Sequence, residues 1–162
     1  MRARHAISIG ALAALLFIGF VSTSSALAHD FSWPWRAARL LLTGQSPYGA
    51  VLFPGIPAWG DPFFYPLPAA LVALPLAGLP APLAGAVFVG LSAGLLAYHL
   101  PRHLWPVLLS APVVVSVMAG QWAPLLAVGL LWAPASALWV CKPSLGLALF
   151  FARPRWQAVA GG

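Results

Sequence analysis

Long apolar runs, separated by short polar or proline-rich stretches, make up most of this chain. The first run covers residues 6–28 and the clearest later one covers residues 83–100, and both are close to the roughly 20 residues that a membrane-crossing helix needs. A polar interval, residues 29–65, lies between them, and further apolar spans continue to residue 152. The pattern predicts an all-α, polytopic transmembrane helical bundle that forms a single membrane domain over residues 1–162.

The first apolar run has two interpretations. Residues 1–5 are basic, and Ala26-Leu27-Ala28 has the small-residue pattern of a secretory cleavage site, so a signal peptide fits. The run is also long enough to span a membrane, and the rest of the chain is itself apolar, which favours an uncleaved anchor. In both cases the positive-inside rule keeps Arg2 and Arg4 in the cytoplasm, and Asp30 emerges on the outer face.

Residues 35–43 of the polar interval are predicted to form a short amphipathic helix that lies in the membrane interface. Asp30 and Ser32 precede it as candidate caps, and Gly44 is a natural stop. The helix has a predicted polar face with Arg36, Arg39 and Thr43, and a predicted apolar face with Trp35, Ala38, Leu41 and Leu42.

The apolar segment at residues 66–79 decides the topology. Its three prolines suit a broken or non-spanning segment that returns to the outer face. In that case Arg102 lies inside, whereas a full crossing would place Arg102 outside. The first arrangement fits the positive-inside rule better, because it also places Arg153 and Arg155 inside and leaves Gly120, Gln121 and Lys142 outside.

Composition supports a membrane location and excludes several function classes. Hydrophobic residues make up 62% of the chain and charged residues only 6%, whereas soluble domains carry about 25% charged residues. The net charge of +6 does not predict a nucleic-acid partner, because the cations fall singly or in pairs at the ends of apolar segments. The sequence has no cofactor motif and no metal-ligand spacing, so we expect neither a cofactor nor a metal. Cys141 is interpreted as a small apolar filler.

Asp30 is the leading catalytic candidate. A carboxylate on the outer face can take a proton from a hydroxyl nucleophile, and guanidinium or ammonium groups can hold a phosphate. Each candidate also has a structural interpretation: Asp30 as a helix cap, Arg36 and Arg39 as headgroup anchors, and Lys142 as a snorkelling residue. Asp61 lies in a Gly-Asp-Pro stretch that has the composition of a turn.

Several motifs follow one another in a recognisable order: an acid after the first span, R-A-A-R-L-L-L-T-G-Q-S-P-Y, F-F-Y-P-L-P-A-A-L-V-A-L-P-L-A-G-L-P, then G-Q and K-P. This set resembles glycosyltransferase family 87, the bacterial polyprenyl-phosphate-mannose-dependent mannosyltransferase-like proteins of the GT-C class. The matching positions are Asp30, Gly44, Tyr48, Tyr65, Pro66, Gly120, Gln121, Lys142 and Pro143. Leu67 replaces the second proline of the family's Y-P-P-L, and Trp122 to Leu125 depart from its G-Q-x-N-L.

The resemblance implies a GT-C-like enzyme of the bacterial plasma membrane, with a cytoplasmic N-terminus and an extracytoplasmic active loop. It implies transfer of a hexosyl group, expected to be mannosyl, from a polyprenyl-phosphate sugar to a lipid or glycan acceptor. Asp30 would act as base on the acceptor hydroxyl. Membrane lipids are the other expected partners, and the expected donor-phosphate or substrate-binding residues are Arg36, Arg39, Tyr65, Gln121 and Lys142.

Members of this family are considerably longer than this chain, so the chain is expected to be the N-terminal part of such an enzyme. A second function therefore stays open: a non-catalytic integral membrane protein, such as an inactive fragment or a structural or transport subunit. A transport role needs polar residues inside the spans. Apart from Gln121 and Lys142, the later apolar segments hold almost none.

Overall fold

A computed structural model describes residues 1–24, 29–48 and 63–160, and the regular elements in these ranges are helical, with no strand among them. The all-α prediction is thereby confirmed for the described residues. Eight α-helices occur in these ranges: α1 (Arg2–Thr23), α2 (Ser32–Leu42), α3 (Leu67–Ala73), α4 (Ala81–His99), α5 (Ala111–Met118), α6 (Ala123–Leu131), α7 (Pro143–Ala152) and α8 (Trp156–Ala160). Four 3-10 stretches join them, at His29–Phe31, Leu74–Leu76, Arg102–Leu109 and Ala133–Cys141.

Helices α1 and α4 are long and apolar enough to cross a membrane. They pack antiparallel, because an Arg2 guanidinium nitrogen donates to the Leu100 carbonyl at 2.7 Å while Gly10 meets Gly90 near the middle of the pair. A Cβ added at Gly10 would lie 2.6 Å from the Gly90 carbonyl oxygen, so the two backbones touch where side chains are absent. Such close approach of small residues is typical of helix pairs in membranes.

The outer surface of α1 is apolar. Ile7, Leu12 and Leu15 are 70%, 56% and 67% exposed, and only 28% of the helix's most apolar stretch is buried inside the protein. A helix that is apolar on every face is stable when hydrocarbon, rather than water, covers the side that the protein leaves open. The outward face of α1 therefore suits contact with lipid.

Helix α2 begins three residues before the predicted start and ends one residue before the predicted end. Pro34 lies in its first turn, where the missing N–H of proline does no harm. The candidate caps do not cap it, because the helix start receives no side-chain hydrogen bond and the Ser32 hydroxyl donates instead to the His29 carbonyl at 2.7 Å. Gly44 does end it: with φ of +71° it adopts the left-handed conformation that favours glycine after a helix.

The buried face of α2 differs in part from the predicted one. Trp35 and Ala38 are buried as expected, but Leu42 is 66% exposed. Because the Trp35 indole N–H donates to the Leu79 carbonyl at 3.1 Å, α2 lies against the protein and not only on a membrane surface. The buried residues of α2 are Ser32, Pro34, Trp35, Ala37, Ala38 and Leu40.

The segment at 66–79 starts and finishes beside the same part of the chain. Tyr65, just before it, contacts Asp30, and Leu79, at its end, contacts Trp35. Its ten helical residues, Leu67–Leu76, rise about 15 Å, whereas the hydrocarbon core is about 30 Å thick. The segment is thus too short to cross alone, as its prolines suggest, and its position in a membrane stays a prediction.

The elements after α4 lie along this helix and alternate in direction between its two ends. Trp122, at the start of α6, packs on Phe88 with ring centroids 5.0 Å apart, and Trp132, after its end, stacks on His99 at 5.2 Å. The 3-10 stretch Ala133–Cys141 then returns the chain to Lys142. Helix α7 leads away again to Arg153, whose guanidinium donates to the Leu130 carbonyl.

The bundle therefore has two chemically different ends. The Asp30 end holds Asp30, Tyr65 and Lys142 near the end of α1 and the start of α4. The arginine end holds the start of α1 and the end of α4, with Arg2, Arg4, Arg102, Arg153 and Arg155.

Candidate functional site

Asp30, Tyr65 and Lys142 form one polar cluster at the end of an otherwise apolar bundle. The Lys142 ammonium lies 2.8 Å from Oδ2 of Asp30, and the Tyr65 hydroxyl donates to Oδ1 at 2.6 Å. The two charged side chains are only 23% and 24% exposed. The lysine nitrogen also lies 5.4 Å from the centre of the Tyr65 ring, within the range of a cation–π contact.

The backbone of Asp30 and the residues on either side of it in the sequence fix its position. Its backbone N–H donates to the Ala119 carbonyl at 3.0 Å, and the next residue, Phe31, is fully buried and stacks on Phe88 with centroids 4.2 Å apart. The preceding His29 has a φ of +46°, which is uncommon for a residue other than glycine. This turn aims the carboxylate at Lys142 instead of at the start of α2, and the interpretation of Asp30 as a helix cap is therefore wrong.

Lys142 is positioned by the proline that follows it. Pro143 opens α7, and proline suits the first turn of a helix because its missing N–H needs no acceptor there. The carbonyl of Lys142 accepts the first bonds of α7, from Leu145 at 3.1 Å and from Gly146 at 2.8 Å. The K-P pair thus sets the point where the 3-10 stretch ends and the lysine side chain turns towards Asp30.

Tyr65 contacts the carboxylate directly. Burial, together with its hydrogen bond to Asp30 and the charge of that carboxylate, raises the pKa of the Tyr65 phenol well above its ordinary value. The hydroxyl consequently keeps its proton and remains a donor to Asp30. The Tyr65 carbonyl accepts a hydrogen bond from the Tyr48 hydroxyl at 3.2 Å, so Tyr48 lies close to the same cluster.

Gln121 lies next to the cluster without joining it. The chain leaves α5 at Gly120, whose φ is +62°, and the Gln121 N–H returns to the Ser116 carbonyl at 2.8 Å, as in a glycine-terminated helix end. This turn presents the Ala119 carbonyl to Asp30. Among the described residues no hydrogen bond joins the Gln121 side chain to Asp30 or Lys142.

Neither α2 arginine is the ion-pair partner of Asp30 in the described structure. Arg39 is exposed and its guanidinium carbon sits 4.9 Å from the centre of the Trp35 ring, an arrangement that suits a residue at a membrane surface. Arg36 is partly buried, and loss of solvation lowers the pKa of its guanidinium. The cation that pairs with Asp30 in the described structure is Lys142.

Trp122 is also part of the site. In the sequence it begins the stretch that differs from the G-Q-x-N-L motif, and the motif predicts no role for it. Its ring is fully buried, 6.4 Å from that of Tyr65 and 5.0 Å from that of Phe88, and its buried indole nitrogen has no hydrogen-bond partner in the part of the chain that the structure describes. The only sequence signal for this role is a large aromatic residue directly after the G-Q pair. Trp122 forms the wall behind the tyrosine that contacts Asp30.

Two predicted features lie outside the described residues: Asp61 and the small-residue pattern at Ala26-Leu27-Ala28. Within the described ranges, no group of three or more histidine, cysteine, aspartate or glutamate residues could hold a metal ion. No protein-family model, characterised protein or solved structure matches this chain. The chemistry of the site therefore rests on the cluster itself: one carboxylate that accepts hydrogen bonds, one ammonium group and one phenol that donate them.

Proposed function

We propose that this chain is a glycosyltransferase module of the bacterial plasma membrane. It would move a hexosyl group, expected to be mannosyl, from a polyprenyl-phosphate sugar to a hydroxyl of a lipid or glycan acceptor. The observation that carries the proposal is the meeting of Asp30 with Lys142, which are 112 residues apart in the chain. A carboxylate and an ammonium group, partly exposed at the end of an apolar bundle, are the groups that a phosphate-linked donor and a hydroxyl acceptor require.

The roles follow from the donor and acceptor capacity of each group. Asp30 accepts the proton of the acceptor hydroxyl as the acceptor oxygen attacks the anomeric carbon of the sugar. The bond from that carbon to the phosphate oxygen breaks, polyprenyl phosphate leaves, and direct displacement inverts the configuration. Lys142 has three N–H donors, of which one is engaged with Asp30, so it has donors left for the phosphate.

Tyr65 and the α2 arginines receive more limited roles. Tyr65 positions the Asp30 carboxylate through its hydroxyl, in place of the phosphate contact expected from its motif. Arg39 and Arg36 would draw the anionic donor to the Asp30 end, because guanidinium groups near a membrane surface attract phosphate headgroups. Gln121 is retained as a candidate contact to the sugar or acceptor, since it is partly exposed beside the cluster.

The proposed topology has the arginine end in the cytoplasm and the Asp30 end outside. Arginine-rich ends face the cytoplasm in membrane proteins. The antiparallel pair α1 and α4 supports the arrangement, because it brings Arg2 and Arg102 to the same end, and a segment at 66–79 that begins and finishes beside Asp30 and Trp35 is compatible with it. This is the topology that the positive-inside rule favours from the sequence.

The test is a transfer assay in proteoliposomes. The purified chain is given labelled polyprenyl-phosphate mannose, and transfer to water-soluble or lipid hydroxyl acceptors is followed. Asp30→Asn keeps the size of the side chain and removes the base, so we expect transfer to fall by about 100-fold or more. Arg102→Gln, at the other end, is the matched control and should keep wild-type transfer. Equal turnover in wild type and Asp30→Asn would remove Asp30 from the mechanism.

One observation favours a second, non-catalytic function. Both oxygens of the Asp30 carboxylate already have a partner in the protein, so the cluster also has the form of a structural link between the residues around Asp30 and those around Lys142. If that is its role, the wild-type chain shows no transfer with any polyprenyl-phosphate sugar, while Asp30→Asn still lowers stability. Measurements of transfer and of stability on the wild type and Asp30→Asn therefore separate the two functions.

A further inference from the structure

Two guanidinium groups meet at one backbone carbonyl at the arginine end. Nη1 of Arg153 donates to the Leu130 carbonyl oxygen at 2.6 Å, and Nη2 of Arg155 lies 3.4 Å from the same oxygen. Two nitrogens that are this close to one atom are near neighbours, so the two positive charges repel each other. One carbonyl dipole cannot neutralise both of them.

Arg155 also has an unused donor. Its Nε is buried and has no hydrogen-bond partner among the described residues. A guanidinium group carries five N–H donors in a fixed plane, and a buried donor without an acceptor is unfavourable. The arrangement therefore favours a ligand with several acceptor oxygens and negative charge.

The described part of the chain supplies no carboxylate at this end. Asp30 is engaged with Lys142 at the opposite end, and the only other acid, Asp61, lies outside the described residues. Arg2, Arg4 and Arg102 add further positive charge here. An external anion is the simplest source of neutralisation.

The side chains around the pair are those that a lipid would contact. Phe151, two residues before Arg153, and Trp156, directly after Arg155, are 78% and 86% exposed. Exposed tryptophan is typical of the boundary between lipid and water, and exposed phenylalanine suits the acyl region. A small inorganic anion would satisfy the guanidinium groups but would leave these aromatic rings uncovered.

We propose that Arg153 and Arg155 bind the phosphate diester of one anionic membrane phospholipid, with Phe151 and Trp156 against its glycerol and acyl region. Guanidinium groups recognise phosphate oxygens in pairs, which a single ammonium group cannot do. A lipid with net negative charge is favoured over a zwitterionic one, because the described residues place no carboxylate at the arginine end. This site is independent of the proposed glycosyl transfer.

The test is native mass spectrometry of the whole chain, released from detergent after addition of defined lipids. Phosphatidylglycerol, phosphatidylcholine and inorganic phosphate are added separately at matched concentrations. We expect one phosphatidylglycerol to be retained, and Arg153→Gln or Arg155→Gln to weaken its binding by about tenfold. Arg155→Lys keeps the charge but loses the planar fork, so it should fall between wild type and Arg155→Gln. Arg102→Gln removes one charge from the same end and should bind as wild type does.

Other outcomes overturn the site. Equal retention of phosphatidylglycerol in wild type and both Gln variants would show that the pair does not bind it. A loss in Arg102→Gln as large as in Arg155→Gln would mean that only the total charge matters. Retention of inorganic phosphate with the same dependence on the variants, without retention of lipid, would identify a free anion as the ligand instead. Unchanged thermal unfolding of the Gln variants shows that a loss of lipid does not come from misfolding.

Discussion

The two ends of the bundle differ in how their charged side chains are paired. At the Asp30 end, a carboxylate, an ammonium group and a phenol satisfy one another within 2.8 Å. At the arginine end, the described structure offers backbone carbonyls as the hydrogen-bond partners of three arginines, Arg2, Arg153 and Arg155. One end is internally neutralised, whereas at the other end the described residues supply no counter-ion.

This difference suits a protein that is placed asymmetrically across a bilayer. Arginines that are not internally paired can meet anionic headgroups, and in the proposed topology they would hold their end in the cytoplasm. An internally neutralised cluster has no such preference, and its charges become available only when a ligand competes for them. The Asp30 end is therefore suited to binding a donor and an acceptor, and the arginine end is suited to binding anionic lipid and to orienting the chain.

The largest expected effect is on labelling from outside the cell. In a Cys141→Ser background, Ser46→Cys and Ser144→Cys lie at the Asp30 end and His103→Cys lies at the arginine end, and all three positions are exposed. A membrane-impermeant thiol reagent on intact cells should label the first two and not the third. His103→Cys should react only after permeabilisation, which shows that its thiol is reactive.

Labelling of the arginine end from outside the cell would contradict the assignment of the two ends to opposite faces of the membrane. Labelling of His103→Cys in intact cells together with Ser46→Cys would mean that residues 66–79 cross the membrane. The arginine end and the Asp30 end would then no longer coincide with the two faces of the bilayer.

Loss of the lysine should cost more stability than loss of either tyrosine hydroxyl near it. Lys142→Met leaves the largely buried Asp30 carboxylate with the Tyr65 hydroxyl alone, so the free energy of unfolding should fall by roughly 2–3 kcal/mol. Arg102→Met, which removes an exposed cation at the other end, should change it by less than about 0.5 kcal/mol. Denaturant or thermal unfolding in detergent measures both.

A double variant sharpens this result. Because Asp30→Asn removes the charge that Lys142→Met leaves behind, the two substitutions together should cost less than the sum of their separate effects, with a coupling of about 1–3 kcal/mol. Strictly additive effects would show that the 2.8 Å contact contributes nothing to stability.

Loss of the phenol should have a smaller effect. Tyr65→Phe removes a single hydrogen bond to a charged acceptor and keeps the ring against Trp122, so we expect a loss of roughly 1–2 kcal/mol. Tyr48→Phe removes a bond to a neutral carbonyl from an exposed residue and should cost about 0.5–1 kcal/mol. If the two variants are equally stable, the charge of Asp30 adds nothing to the bond that Tyr65 makes.

Much of the helical framework could be predicted from the sequence. Runs of apolar residues indicate α1 and α4 directly, because a span needs about 20 such residues. Gly44 ends α2 as predicted, and Gly120, with a φ that is also positive, follows α5 in the same way, since a left-handed residue after a helix is commonly glycine. The predicted start of α2 is too late because proline in a first turn continues a helix, whereas proline elsewhere stops one.

The candidate site could be predicted only as a set of residues. Asp30 and Lys142 are both candidates from the sequence, but nothing in local spacing indicates that residues 112 apart form a 2.8 Å pair. That contact depends on the way the 3-10 stretch Ala133–Cys141 returns the chain, which propensity does not specify. The choice of Lys142, and not Arg36 or Arg39, as the ion-pair partner of Asp30 also depends on tertiary packing, which local sequence does not specify.

The effect that is absent at neutral pH is an alkaline pH dependence that belongs to the Asp30 end alone. Burial and the neighbouring Asp30 carboxylate raise the pKa of Tyr65 in the folded protein, whereas in the unfolded chain a tyrosine titrates at about 10. Below that pH the phenol is protonated in both states and its contribution to stability is fully present. Above it the unfolded chain releases the proton and the folded protein keeps it, so the free energy of unfolding should fall by at most about 1.4 kcal/mol per pH unit.

Tyr65→Phe should remove this alkaline loss of stability, because phenylalanine has no proton to release in either state. Tyr98→Phe is the matched control, since it removes a tyrosine from the arginine end and leaves Tyr65 in place. Unfolding in detergent at a series of pH values above about 10 gives the slope for each variant. A slope in Tyr65→Phe as steep as in Tyr98→Phe would show that the alkaline loss comes from elsewhere in the protein, and the pairing of phenol and carboxylate would then not distinguish the two ends.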